Sequence, residues 1–365
     1  MASSISNSDP VLPSLNWKCL FLGALALLIS YVLISEALLR RKGFVPTIHD
    51  TETRWIKERE RASKLGSRAL ILIGASRIQL GIDLRVLRKA SHLEPVQLAI
   101  DGSSYVPVLE GLARDPKIIG TVIIDLMPGP VSFQVGPIGA SQHFQARFDA
   151  LTSTGFNWPT YEYLDATLAD KIRQWLVNYA DGARPWDSLT NRITNPKATP
   201  QYLISLPDRS RLADYRRVPM PQFYLNRVLR HLGNPSGFDI NEPQDELESR
   251  LSGYVNALQP ESENGQSSRG LIELESAVSA IQSRGGHVIL LQMPTSGLIL
   301  EADSKRFPRG QYWDRVAKST SAKAIHWADY PELSGFVCPD GSHLDKRDMK
   351  EFTQKLAKVM GLSRP

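Results

Sequence analysis

The stretch "ILIGASRIQLGID", Ile71 to Asp83, decides how this chain is read. Together with Arg68-Ala69-Leu70 before it, it begins as an unbroken apolar run, the pattern of a strand buried on both faces. The run ends in Gly74-Ala75-Ser76-Arg77. That tetrapeptide is either a tight turn that closes a strand and opens a helix, or a serine held at a sheet edge for chemistry.

Outward from this point, strand and helix patterns alternate. "IDLRVLRKAS" carries apolar residues at helical spacing, and "EPVQLAID" reads as a second strand ending at Gly102. "SYVPVLEGLARD" reads as a helix with a proline near its start, and "IIGTVIIDL" as a third strand stopped by Pro128-Gly129-Pro130. Strand–helix alternation of this kind predicts a parallel sheet with helices on both faces. The alternation then stops. From about 131 to 240 the chain is rich in Trp, Tyr, Pro and Arg, with "DATLADKIRQWLVNYA" and "PQFYLNRVLRHLG" as the clearest helices. "NEPQDELESRLSGYVNAL" is a further amphipathic helix, and "QPESENGQSS" a loop by composition. Alternation resumes with "LIELESAVSAIQSRGG" (helix), "HVILLQMP" (strand), "YWDRVAKST" (helix), "AIHWAD" (strand) and "DKRDMKEFTQKLAKVMG" (closing helix). The chain carries no repeat.

The N-terminus holds the apolar segment "CLFLGALALLISYVLISEALL", Cys19 to Leu39, flanked by Trp17-Lys18 and Arg40-Arg41-Lys42. As a helix it spans about 31 Å, the thickness of a bilayer's hydrocarbon core. A secretory signal has a shorter apolar region and a small-residue cleavage site, whereas Leu38-Leu39-Arg40-Arg41 closes this segment. The reading is therefore a retained single-pass anchor. The expected organisation is a disordered tail (1–18), a transmembrane anchor (19–39), a linker with a short helix (40–66), and an α/β domain (67–365) with an insertion at about 131–267.

At 365 residues, with 42% hydrophobic and 22% charged residues, the composition is that of a globular protein. The net charge of +5 is spread out, and its one basic run abuts the anchor, which argues against a nucleic-acid partner. The two cysteines, Cys19 and Cys338, are not expected to pair. His92, His231 and His287 stand alone, without metal-ligand spacing, and neither a metal nor a cofactor is expected.

Ligand sites in open parallel sheets form at the carboxyl ends of the strands. Four segments reach that edge: Gly74-Ala75-Ser76-Arg77, Asp101-Gly102-Ser103, Asp125-Leu126-Met127, and "CPDGSHLD", Cys338 to Asp345. In the last, Asp340 and His343 stand three residues apart, a spacing that lets the carboxylate hold one ring nitrogen while the other faces outward. A histidine so oriented serves as general base to a serine. Asp-Gly-Ser is also ordinary turn chemistry. The chain order Ser76, Asp340, His343 makes a candidate triad. The α/β-hydrolase signature Gly-x-Ser-x-Gly is absent, since Ile78 stands two residues after Ser76.

These blocks resemble the SGNH/GDSL hydrolase superfamily, in particular its membrane-anchored envelope members. "LIGASRIQLGID" resembles the first block, "LAIDGSS" the second and "PDGSHLD" the fifth. The likeness covers about 67–130 and 268–362. It implies a flavodoxin-like three-layer α/β sandwich around a parallel sheet, in addition to the anchor and the mixed helical insertion. It implies Ser76 as nucleophile, His343 as base, Asp340 as its orienting partner, and the N–H groups of Ser76 and Gly102 as the oxyanion hole. The third block departs: Asp125 stands at its glycine and Met127 near its asparagine, so a third oxyanion donor is missing or comes from Arg77 or the insertion. Arg77 is either a substrate or triad contact or part of a structural salt bridge. Asp125 either lines the site or caps a loop. Trp158, Trp175 and Trp186 either stack on sugar or join the insertion to the sheet. The function this implies is a serine esterase or O-acyltransferase acting on cell-envelope or exported polysaccharide. It would sit in a bacterial plasma membrane with its domain outside the cytoplasm, although the flanking arginines favour the opposite orientation. An acyl carrier or transferase in the membrane is the implied partner. The alternative is a non-catalytic subunit of a polysaccharide complex that keeps the fold.

Overall fold

A computed structural model describes residues 16–129, 139–153, 155, 168–169, 171–179, 201–261 and 265–362. The expected tail up to residue 15, together with Trp158 and Trp186, lies outside the described residues. So do residues 165–167, 170 and 180 of the expected helix at 165–180.

Helix α1 (Trp17–Arg41) is capped by Asn16 and is long and apolar enough to cross a membrane, with a mean hydropathy of 2.1. It begins two residues before the expected anchor, so Trp17 and Lys18 belong to the helix and not to the tail. Its C-terminal end is tied down. Glu36 accepts hydrogen bonds from the backbone N–H groups of Val177 and Asn178, at 2.9 and 3.1 Å, and Leu39 packs on Val177. The chain after α1 runs along the insertion, with Gln201 bonded to both backbone groups of Val45 and Thr47 donated an N–H by Ser205. Helix α2 (Glu52–Leu65) starts at the Thr51 cap and stops at Gly66.

The central sheet has five parallel strands: β1 (Ala69–Ile73), β2 (Glu94–Gln97), β3 (Thr121–Asp125), β6 (His287–Gln292) and β7 (Lys323–His326), in the order β2-β1-β3-β6-β7. This is the 2-1-3-4-5 order of flavodoxin-like doubly wound sheets. The period of two along β1 feeds both helix layers. Ile71 and Ile73 join one core with α2, α5 (Val106–Arg114) and α9 (Gly265–Gln282). Leu70 and Leu72 join the other with α3 (Ser76–Gly81), α4 (Leu84–Ser91) and α12 (Lys346–Met360).

Strand β2 is shorter than the sequence predicts. It lies at the sheet edge, and the carbonyls beyond it are taken by side chains instead of a further strand: Trp55 donates to Leu98, and Gln79 and Arg209 donate to Ala99. The loop expected at 259–268 ends early, because α9 already begins at Gly265. Helix α10 (Gly297–Arg306) was not expected, since its apolar residues are too few for a clear period.

The described parts of the insertion bury their apolar faces against the α/β domain. Helix α6 (Ala140–Ser153) adds Phe148 and Leu151 to the first core. The hairpin β4 (Leu203–Ser205) and β5 (Arg211–Ala213), with Tyr215 and Val218, packs on Leu80 of α3. Helices α7 (Gln222–His231) and α8 (Gln244–Ala257) close on Leu298, Ile299 and Ala302 of α10. Helix α11 (Trp313–Ser319) completes the first helix layer.

Candidate active site

Strand β1 delivers its chain end to the carboxyl edge of the sheet, and Ser76 is the first residue of α3. The turn requires Gly74: a Cβ there would stand 2.7 Å from the Asp125 Cβ. On the far side of the sheet order, the turn before α12 presents Asp340 and His343. Gly341, at φ +82°, makes that turn against Ile299, where a Cβ would meet the Ile299 Cδ1 at 2.8 Å.

The two ends meet. The His343 Nε2 lies 2.8 Å from the Ser76 Oγ, and the His343 Nδ1 lies 2.8 Å from the Asp340 Oδ2. With Nδ1–H donating to the carboxylate, the Nε2 lone pair faces the serine hydroxyl, a tautomer assigned from the network. Asp340 is itself held. Its Oδ1 accepts the backbone N–H groups of Ser342 and His343, at 2.9 and 2.7 Å, and its Oδ2 accepts the Tyr215 hydroxyl at 2.9 Å. Burial pushes the Asp340 carboxyl up, but these donors and the nearby Arg227 outweigh it and hold the group at about 2. Burial, together with the nearby Asp340 carboxylate, pushes the Tyr215 phenol far up, so Tyr215 stays a donor.

Ser76, Asp340 and His343 line a cavity of about 330 Å³. Its other walls include Asp101, Tyr202, Arg211, Phe223, Asn226, Arg227 and Arg230. Gly102, at φ +66°, follows Asp101 at the rim and is exposed. Its N–H, like that of Ser76, donates to no partner among the described residues.

Arg77 takes its structural reading, whereas Asp125 neither lines the Ser76 cavity nor caps a loop among the described residues. One residue along α3 turns a side chain about 100°, so Arg77 points inward while Ser76 faces the cavity. Arg77 donates to the Ser342 Oγ at 3.1 Å and lies 3.6 Å from the Asp303 carboxylate. Asp125 is buried beneath the Gly74 turn. The amides of Ile78 and Met293 approach its carboxyl without reaching hydrogen-bond geometry, and burial outweighs them and the Arg77 charge, raising the group to about 7. Met127 lines a neighbouring cavity of about 310 Å³, with Asp303, Trp313 and Trp327.

The residues that sequence reading missed come from the insertion. Phe223, Asn226, Arg227 and Arg230 stand at i, i+3, i+4 and i+7 of α7, one face of the helix. Leu225, Val228 and Leu229 form the opposite, buried stripe. The stripe was legible, but what it faces was not. Trp175 is exposed, His92 caps α4, His231 donates to Asp303 at 2.7 Å, and both cysteines are free. Among the described residues, no three His, Cys, Asp or Glu side chains converge as metal ligands.

No family model matches this chain, and no curated protein matches it.

Proposed function

We propose that this chain is a membrane-anchored serine esterase or O-acyltransferase of the SGNH type, acting on a saccharide of the cell envelope or an exported polysaccharide. The observation that carries the reading is the continuous chain of hydrogen bonds from Ser76 through His343 to Asp340. A serine hydroxyl is a weak nucleophile until a base stands within about 2.6–3.2 Å, and that base is present. In the reaction the Ser76 proton passes to the His343 Nε2 while Oγ bonds to the acyl carbon. Collapse of the tetrahedral intermediate breaks the bond to the leaving oxygen, which takes the proton from Nε2. A sugar hydroxyl or water then attacks the acyl-serine by the same route, and Ser76 regains its proton. Asp340, kept ionised, favours the imidazolium formed at each step.

The free N–H groups of Ser76 and Gly102 are the proposed oxyanion donors, as the resemblance implies. Among the described residues, Asn226 is the one side-chain amide lining the cavity, and it is the proposed donor in the role that Met127, turned to the neighbouring cavity, does not fill. One such donor is worth about 10²–10³-fold in rate.

The anchor reading is supported by Glu36 and Leu39, whose contacts with the insertion a cleaved signal would forfeit. The envelope role implied by the resemblance puts the domain outside the cytoplasm, with the membrane as its first partner and an acyl carrier within it as the second.

The test is labelling of the full chain, in detergent, with a fluorophosphonate. Wild type is expected to be labelled, and Ser76→Ala and His343→Ala are not. Equal labelling of wild type and Ser76→Ala overturns the reading. Arginine rather than a neutral donor over the triad, and Met127 in place of an amide, would then favour the non-catalytic subunit.

A further inference from the structure

The Ser76 cavity carries more cations than anions in its lining. Three guanidinium groups line it, from Arg211, Arg227 and Arg230, against two carboxylates, Asp101 and Asp340. Asp101 is committed to Arg211, at 2.5 Å, and Asp340 to His343 and Tyr215. Arg230 is exposed and has no carboxylate partner among the described residues. Arg227 touches Asp340 only at 3.8 Å, too far for a hydrogen bond.

Arg227 has a second relation to the triad. Its Nη2 lies 3.3 Å from the His343 Nε2 and 3.5 Å from Nδ1. A hydrogen bond to Nε2 would lie in the ring plane and well away from Nδ1. A point so nearly equidistant from both nitrogens collides with Cε1 if it is in the plane, so the guanidinium lies over the ring face. Ser76 therefore keeps the Nε2 lone pair. When His343 accepts the serine proton, the ring becomes a cation directly beneath another cation. Asp340, 3.8 Å from the guanidinium and 2.8 Å from the ring, offsets part of that repulsion; the remainder opposes the step the triad exists to perform, and an anion on the guanidinium removes it.

We infer that Arg227 and Arg230 form an anion subsite beside Ser76, so that the substrate is an ester carrying a carboxylate or phosphate next to the scissile bond, and that Arg227 makes acylation of Ser76 depend on that anion. The inference rests on the serine reading above. Arginine suits it because its planar fork binds carboxylate or phosphate with two parallel hydrogen bonds. Arg227 and Arg230 lie one turn apart on α7, and both line the cavity. With the anion bound, the charge above the ring is offset, and His343 can take the proton. With a neutral ester, the charge stays.

The experiment compares three acetate esters on the full chain in detergent: methyl 4-acetoxybenzoate, 4-acetoxybenzoate and 4-acetoxyphenyl phosphate. In each, the Ser76 Oγ bonds to the acetyl carbon and the phenol leaves with the proton from His343. Acetyl-serine formation is followed by mass spectrometry and normalised to the uncatalysed hydrolysis of each ester. Wild type is expected to be acylated at least about tenfold faster by an anionic ester than by the neutral one, and the faster of the two anions identifies carboxylate or phosphate. Arg227→Gln is expected to raise the rate with the neutral ester by about threefold or more and to erase the preference. Arg227→Lys keeps a cation and is expected to keep the preference. Absence of a preference in wild type overturns the inference. So does an equal slowing of all three esters by Arg227→Gln, which would make Arg227 an oxyanion donor, and so does loss of the preference in Arg227→Lys. Ser76→Ala is the separate arm: if its acylation equals that of wild type, the serine reading itself fails, whatever Arg227 does.

Discussion

Asp125→Asn should stabilise the protein, and only above a particular pH. Asp125 is 2% exposed at the end of β3, and its carboxyl is raised from 3.8 to about 7, chiefly by burial. Between these two values the folded state binds more protons than the unfolded one. Stability from this group is thus fully present below about pH 4, is lost as pH rises through the window, and levels off above about 7. At about 1.4 kcal/mol per unit, a shift of about three units costs about 4 kcal/mol once the group is ionised in both states. The attraction of Arg77 is already within that figure, because it pulls the carboxyl down and is outweighed. Asparagine has nearly the same shape and does not ionise. With an unfolding entropy of about 2 cal/mol/K per residue, 4 kcal/mol corresponds to about 6 °C in Tm for a chain of this length. The assay is thermal unfolding by tryptophan fluorescence, for both proteins in the same detergent, at pH 4.5, 6 and 8. The expected difference is about 1–2 °C at pH 4.5 and about 6 °C at pH 8, in favour of the variant. A difference that does not change with pH, or a variant less stable at pH 8, would refute the reasoning.

Asp340→Asn should act with the opposite sign. Its carboxyl is held at about 2, so it stabilises above about pH 4 and loses that contribution as pH falls toward 2. The variant is expected to be about 2 kcal/mol less stable at pH 7, read by urea titration, with the gap closing in acid. Tyr215→Phe removes a hydroxyl donated to the ionised Asp340 and is expected to slow fluorophosphonate labelling about tenfold with unchanged circular dichroism. Met127→Asn changes a residue of the neighbouring cavity, so labelling of Ser76 should stay within about twofold, the sensitivity expected of a surface site. Gly341→Ala forces a Cβ onto Ile299 at a positive φ and is expected to cost about 1–3 kcal/mol in urea titration.

The sequence by itself determined most strands and helices of the α/β domain and the class of sheet, but not α10 or the β4–β5 hairpin. Apolar runs such as Ala69–Ile73 and Val288–Leu291 are unbroken because parallel strands are buried on both faces, and that is local information. The same holds for the length and flanks of α1, Gly66 at the end of α2, and Gly361 at the end of α12. Asp340 and His343 could be paired on paper because three residues separate them. The meeting of His343 with Ser76, 267 positions away in the chain, depends on the parallel run of the strands, which puts the ends of β1 and β7 on one edge. Tertiary structure alone decided the rest. Arg77 was legible as a cation but not as a buried one; its direction follows from Ser76 opening a helix and not a loop. Asn226, Arg227 and Arg230 carry no local signal of a site, because their stripe is polar on any exposed helix. It becomes a cavity wall only because Leu225, Val228 and Leu229 bury the opposite face of α7 against α10 and so aim these residues at His343.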